Sequence, residues 1–333
     1  MKTELNADIR TALTFLEGRR IAHVFLVACG GSLSIMYPGK YFLDRHSRTL
    51  SSDVYNADEF VCRDPAKLDA NALVIVCSQT GTTQETVRAA AHAKSKGAAV
   101  VSMTLDPFSP LAETANVRLR YQASYTTGVK IDAADGNYGV LYSFLAGLIR
   151  LTDANDVVAP LLNSLGHLQK AIDRALAYYQ PSFERFARRL ADKPAIYTMA
   201  SGASYGAAYS FAICVLMEML RINSQAIHAD EFFHGPFEVV DREAAFILLV
   251  GLDETRRLEL RAKDFLFRFA TKENIFVLDA ADLDLDGIDD RFKGYLAPLI
   301  FFDTLWKFAY ELAAKRNQIM LDGRRYMKKI SDY

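Results

Sequence analysis

Several features that would assign a function quickly are missing from this chain. Only four cysteines occur in 333 residues, Cys29, Cys62, Cys77 and Cys214, and their spacings match neither a zinc site nor a Cys-x-x-Cys redox pair. Three of them lie in apolar runs, so reduced, buried thiols are expected, with no disulfide and no metal. Charge of one sign is not in excess: 39 Lys and Arg stand against 40 Asp and Glu, a formal net charge of −1. That balance argues against a broad basic surface for nucleic acid or membrane. The densest apolar run, Ala244 to Leu252, is too short to span a bilayer. The opening Met1-Lys2-Thr3-Glu4 is polar and no signal-peptide core follows it. No Gly-Lys-Ser/Thr of a nucleotide P-loop occurs, and Gly30-Gly31 lacks the glycine spacing of a dinucleotide fingerprint. The expectation is a cytoplasmic protein with no nucleic-acid or membrane partner.

What the chain does contain is a repeat. Val24-Phe25-Leu26-Val27-Ala28-Cys29-Gly30-Gly31-Ser32 returns as Ile196-Tyr197-Thr198-Met199-Ala200-Ser201-Gly202-Ala203-Ser204, an offset of 172 residues. The same offset relates Ala72-Leu73-Val74-Ile75-Val76-Cys77 to Ala244-Ala245-Phe246-Ile247-Leu248-Leu249. With 51% hydrophobic residues, each copy can bury its own core. Short apolar runs alternate with helical stretches, the pattern of a parallel sheet covered on both faces. In the first copy, strands are predicted near 22–28, 73–77, 98–104 and 117–121, with helices near 4–18, 33–46, 82–97 and 136–152. A helical stretch over 156–191, interrupted by Pro181, connects the copies. In the second, strands are predicted near 195–200, 244–250, 274–278 and 295–298, with helices near 205–221, 255–271 and 300–316. The domains expected are 1–155, a helical connector 156–190, and 191–333.

In open parallel sheets the ligand crevice lies at the carboxyl ends of the strands. Ser78-Gln79-Thr80-Gly81-Thr82-Thr83 leaves such an end and offers four hydroxyls, an amide and a glycine just where a helix begins. A helix N-terminus with hydroxyl donors suits a phosphate without Lys or Arg. An ordinary Ser/Thr helix cap is the plainer alternative. The companion turn Cys29-Gly30-Gly31-Ser32 follows another strand of the same copy, and two converging hydroxyl-glycine turns favour phosphate. The second copy's Val250-Gly251-Leu252-Asp253-Glu254-Thr255 is too apolar and acidic for that task.

Different residues draw notice in the second copy. Glu218 is the only charge in the run Phe211 to Leu220. Enzymes prepare a general base for near-neutral pH by partly withdrawing a carboxylate from water. A glutamate at the solvent edge, or one paired with an arginine such as Arg221, is the alternative. His234 precedes Gly235-Pro236, a turn signal that presents its imidazole at a loop tip, with His228 as the rival.

Taken together, the doubled strand-loop-helix pattern, Gly30-Gly31-Ser32, the Ser78 to Thr83 turn and the spacing from Glu218 to His234-Gly235-Pro236 resemble the sugar isomerase (SIS) family. The resemblance covers nearly the whole chain. It extends to the isomerase domain of glucosamine-6-phosphate synthase and, more closely, to deglycases of phosphorylated fructose-amino acids. Ala200 to Tyr209, Glu231 to Glu238 and Arg324-Arg325-Tyr326-Met327 resemble fructose-asparagine 6-phosphate deglycase in particular. The resemblance implies an α/β fold of two tandem SIS domains, each a parallel sheet flanked by helices in a flavodoxin-like sandwich. It implies sugar-phosphate binding by Ser32, Ser78, Gln79, Thr80 and Thr83, with Gly31 as an additional contact. Glu218 becomes the general base, and His234 the group acting on the sugar ring or as general acid. A homodimer with a site shared between subunits is also implied, with Lys328 or Lys329 near the position of a C-terminal lysine of the synthase.

Departures choose within the family. The first strand is expected near residue 22, leaving no space for the synthase's glutaminase domain. Val215 stands where the synthase has lysine, and Asp230 where a glycine is usual. The expected activity is hydrolysis of a 6-phosphofructose-amino acid to glucose 6-phosphate and free amino acid, without a cofactor. Ketose–aldose isomerisation of a hexose phosphate is the alternative, and a binding-only sugar-phosphate protein a more distant one. The expected division of labour has the first copy holding phosphate and the second supplying Glu218 and His234.

Overall fold

The computed structural model describes residues 4–123, 131–327 and 329–330. The chain forms two compact units, Met1–Gln169 with Gly287–Phe292, and Lys170–Asp286 with Lys293–Tyr333. The division falls within two helices, Val158–Leu190 and Asp290–Lys315.

The first unit holds five parallel strands, β1 (His23–Ala28), β2 (Ser51–Asn56), β3 (Ala72–Cys77), β4 (Ala99–Thr104) and β5 (Val117–Arg120), in the order β2-β1-β3-β4-β5. This is the doubly wound, flavodoxin-like order. β1, β3 and β4 are buried at every position, as central strands covered on both faces must be. One covering is the helix Gln84–Ser95, whose Ala89, Ala90 and Ala93 meet Phe25, Val27, Val74, Val76 and Val100 in one core cluster. Small residues on that helix let its backbone approach the valine-rich sheet.

The second unit repeats the scheme with β6 (Tyr197–Ala200), β7 (Ala226–His228), β8 (Phe246–Val250) and β9 (Ile275–Asp279), in the order β7-β6-β8-β9. Along β8 the side chains alternate between two cores. Ile247 and Leu249 join one with Phe183, Phe211 and Phe308, while Phe246, Leu248 and Val250 join another with Phe232, Ala262 and Leu266. Such alternation shows a sheet buried on both faces.

The repeat is written in strand register as well as in sequence. Leu26 pairs with Val54, and Thr198 with Ala226; Phe25 pairs with Val74, and Tyr197 with Phe246. All four residues of the second copy lie at the 172-residue offset. The offset slips only beyond the third strand, where Val74 pairs with Val100 but Phe246 with Ile275.

Four expectations need correction. Residues 295–298 are helical, part of Asp290–Lys315, which carries Pro298 in its interior. Leu296, Ala297, Ile300, Phe301, Leu305 and Phe308 are all buried, a helical period that a four-residue apolar window does not reveal. Pro181 does not interrupt its helix either. Ile172, Ala175, Tyr179, Phe183, Ala187 and Leu190 keep a continuous buried stripe past it, so packing offsets the hydrogen bond that proline removes. β2 and β7 were not anticipated: the first is a half-exposed edge strand and the second has three residues. Of the cysteines only Cys77 is buried; Cys29 and Cys214 are intermediate and Cys62 is exposed.

Candidate active site

Ala28 and Cys77 end neighbouring strands in register, so the turns that follow emerge side by side. The Ser32 hydroxyl reaches the Cys77 thiol, which joins the first turn to the base of the second. That thiol is no nucleophile, because burial pushes it up to about 12. Gly30 takes the left-handed conformation, φ 54°, and opens the short helix Gly30–Ser34, which no side chain caps. Gly31 is exposed and Ser32 half-buried.

The second turn is built from inside outward. Ser78 is buried, and its Oγ lies 2.9 Å from Thr83 Oγ1. The carbonyl of Gln79 accepts from Leu105 N at 3.0 Å and from Thr104 Oγ1 at 3.2 Å. Gly81 is required twice over: its φ is 68°, and a Cβ there would lie 2.0 Å from Ser109 Oγ. Thr80 and Thr82 share a hydrogen bond of 2.7 Å at the exposed rim. Thr83 is the N-cap of Gln84–Ser95 but makes no side-chain cap bond, so the plainer reading of this turn as a hydroxyl cap is not what the fold uses. The first N–H groups of a helix have no intrahelical acceptor. Here they meet a cluster of hydroxyls, with a partial positive charge of roughly half a unit at the helix end. Ser32, Ser78 and Thr83 are thus brought together, with Thr80 and Gln79 on the same turn.

The second unit keeps the backbone and changes the chemistry. Gly202 has φ 51°, matching Gly30, and a Cβ there would lie 2.3 Å from Asp253 Oδ2. Asp253 Oδ2 accepts from Ala203 N at 2.6 Å, while its Oδ1 accepts from Thr255 N at 2.9 Å and Thr255 Oγ1 at 2.5 Å. Glu259, fully buried, accepts through Oε1 from the backbone N–H of Ser201 at 2.9 Å and from the Ser201 hydroxyl. Burial, with the Asp253 charge adding to it, raises its carboxyl to about 7. Where the first unit presents donors, the second fills the place with its own carboxylates.

Glu218 lies on a π-helix, Phe211–Met219, that continues the α-helix Tyr205–Ser210. Leu220 N donates to Val215 O at 2.9 Å, one residue further back than in an α-helix. Stretches of this kind frequently mark functional sites. The Glu218 side chain is 20% exposed and its Oε1 accepts from Arg324 Nη1 at 3.0 Å. Pairing with an arginine, the alternative reading of Glu218, is thus what the structure shows, but Arg221, the example given for it, sits at φ 53° and donates to Gly323 O at 2.9 Å.

His234 ends the 3-10 turn Glu231–His234 with an exposed ring, and Gly235 follows at φ 140°. Among the described residues no hydrogen bond joins it to Glu218. The rival His228 is half-buried at the end of β7; its ring lies 5.6 Å from that of Tyr205 and its Nδ1 accepts from Asp230 N at 3.3 Å. Those contacts account for His228 structurally and leave His234 as the presented imidazole. Lys329 Nζ donates to Asp322 O at 2.9 Å, and Lys328 lies outside the described residues. Sequence reasoning missed Arg324 as a partner for Glu218, and Asp253 and Glu259 as occupants of the second turn. The signal for the latter pair was present in the acids that follow β8.

A model of the SIS domain matches residues 19–150. The chain is 47% identical to fructosamine deglycase FrlB of Bacillus subtilis (strain 168), over 98% of each protein. It is 28% identical to fructoselysine 6-phosphate deglycase of Escherichia coli O157:H7, over 99% of this chain and 93% of that one. Its backbone is similar to a Bacillus subtilis crystal structure described as that of a phosphosugar isomerase, with a TM-score of 0.94, 46% identity and 98% of both chains covered. Both likenesses extend over almost the whole chain, and the chain belongs to the SIS domain family.

Proposed function

We propose that this chain is a deglycase of phosphorylated Amadori compounds, hydrolysing a 6-phosphofructose-amino acid to glucose 6-phosphate and a free amino acid. The observation that carries this reading is its likeness to fructosamine deglycase, 47% over 98% of each protein, together with a lone carboxylate, Glu218, on an apolar π-helix. The Ser32, Ser78, Gln79, Thr80 and Thr83 turns take the substrate phosphate, with Gly31 offering backbone approach. Binding energy from that remote group positions the reacting carbons. Glu218 removes a proton from C1 of the open-chain sugar amine, giving an enaminol. Protonation at C2 then gives an imine, and water cleaves its C–N bond to release the amine and the aldose phosphate. His234 assists ring opening or returns the proton. Enolisation beside a carbonyl needs only positioned acid and base groups.

The reading extends to a cytoplasmic homodimer in which His234 serves the partner's site, which fits an imidazole presented at an exposed turn. No helix among the described residues is long and apolar enough to cross a membrane. The test is incubation of the purified protein with phosphorylated fructose-asparagine, fructose-aspartate and fructoselysine, measuring glucose 6-phosphate and amino acid. Equal release of both is expected from at least one substrate. Interconversion of fructose 6-phosphate and glucose 6-phosphate without cleavage of any panel member would show an isomerase instead. Glu218→Gln should lower kcat by about 10²- to 10⁴-fold; full turnover in that variant removes Glu218 from the role of base.

A further inference from the structure

We infer that Arg324 is a positioning residue for proton transfer, fixing the Glu218 carboxylate through Oε1 so that Oε2 is the oxygen presented to the substrate. This rests on Glu218 being the base. A glutamate side chain on a helix rotates freely about several bonds, whereas proton abstraction needs one lone pair aimed at one C–H bond. Arg324 supplies the constraint. Its Nη1 holds Glu218 Oε1 at 3.0 Å while its Nε holds the carbonyl of Leu321 at 2.8 Å. The guanidinium is therefore clamped between its own backbone and the carboxylate, a geometry a lysine ammonium cannot reproduce.

The segment carrying Arg324 is itself tied to the end of the π-helix. Gln318 Nε2 donates to Met219 O at 3.2 Å, and Arg221 Nη1 donates to Gly323 O at 2.9 Å. Arg221, left-handed and adjacent to the helix end, holds the backbone that aims Arg324. Arg324 and Glu218 are 18% and 20% exposed, so the pair is partly withdrawn from water and stronger than an exposed ion pair.

The experiment compares the wild type, Arg324→Ala, Arg324→Lys and Glu218→Gln in full-length protein, by release of glucose 6-phosphate from the cleaved substrate. Expected for Arg324→Ala is a fall in kcat of roughly a hundredfold, the cost of a misplaced group, with KM unchanged. Guanidinium ion added to this variant restores part of kcat, and Arg324→Lys lies between the two. In the Glu218→Gln background, Arg324→Ala adds no further loss, since the arginine acts through that carboxylate. Undiminished kcat in Arg324→Ala, or an equal further loss in the Glu218→Gln background, overturns the proposal. If Arg324→Ala does not fold, Arg324→Lys decides alone: wild-type kcat in that variant overturns the clamp. Turnover undiminished in Glu218→Gln is a separate outcome, which refutes the base assignment itself.

Discussion

The turns after β3 and β8 start from the same register and the same left-handed glycine in the neighbouring loop, yet they answer the helix N-terminus differently. After β3, Gly81 and the hydroxyls of Ser78 and Thr83 form the turn, with no acid between Ser78 and Thr83. After β8, Asp253 stands at the place of Gly81 by the 172-residue offset and takes the N–H of Ala203 itself. Glu259, at the place of Val87, takes the N–H and the hydroxyl of Ser201. The comparison teaches that one duplicated backbone can carry hydroxyls in one copy and carboxylates of its own in the other without unfolding. The backbone N–H groups of Ser201 and Ala203 remain satisfied, which matters because a buried donor left unpaired costs about 1–3 kcal/mol.

The strongest way to break the comparison is to impose the second turn on the first. Gly81→Asp puts a side chain on a residue at φ 68° and into Ser109, a combined strain of roughly 3 kcal/mol or more. Its charge also opposes phosphate. Thermal melting should show both the lost stability and no rise in Tm with fructose 6-phosphate, and a wild-type response to that ligand would refute the phosphate assignment.

Next in size is Glu259→Gln. A carboxyl raised from 4.5 to about 7 in the fold binds its proton more tightly folded than unfolded. Its contribution is fully present below about pH 4.5 and is lost as pH rises through about 7, by about 3 kcal/mol in total. The neutral glutamine avoids that loss, so its Tm relative to wild type should be higher near about pH 8.5 than near about pH 5. A pH-independent difference would show that Glu259 is ionised throughout.

The smallest effect sharpens the idea of an internal anion. Asp253→Ala strips acceptors from Ala203 and Thr255 and should cost about 2 kcal/mol. Inorganic phosphate should then recover part of the lost Tm in this variant and add nothing at that turn in the wild type. Loss of stability with no response to phosphate means the second turn is no longer a cradle.

Central elements were legible because burial on both faces writes itself as unbroken apolar runs, as in Ala72 to Cys77. Edges were not: Ser51-Ser52-Asp53-Val54-Tyr55-Asn56 is polar because one side of β2 is uncovered, and it reads as loop. The hydroxyl-rich turn from Ser78 to Thr83 could be read because its chemistry is local, six residues at one strand end. The partner of Glu218 could not, since Arg324 lies 106 residues away and the nearby Arg221 has the same side chain. Distance in sequence hid the pairing; only the path of the tail across the helix end reveals it.

The π-helix that carries Glu218 has a consequence for how this segment can change. Residues on an α-helix advance by about 100° each, so the extra residue held in each π turn sets the angular phase at which Glu218 leaves the axis. Deleting one residue between Phe211 and Met219 would let the ladder relax to α-helical bonding. That deletion would keep Glu218 near its present phase, because a π turn absorbs one residue more than an α turn; relaxation to α-helical bonding at unchanged length would instead swing the carboxylate away from Arg324. Length and bonding pattern within those nine residues together set the direction in which Glu218 leaves the axis.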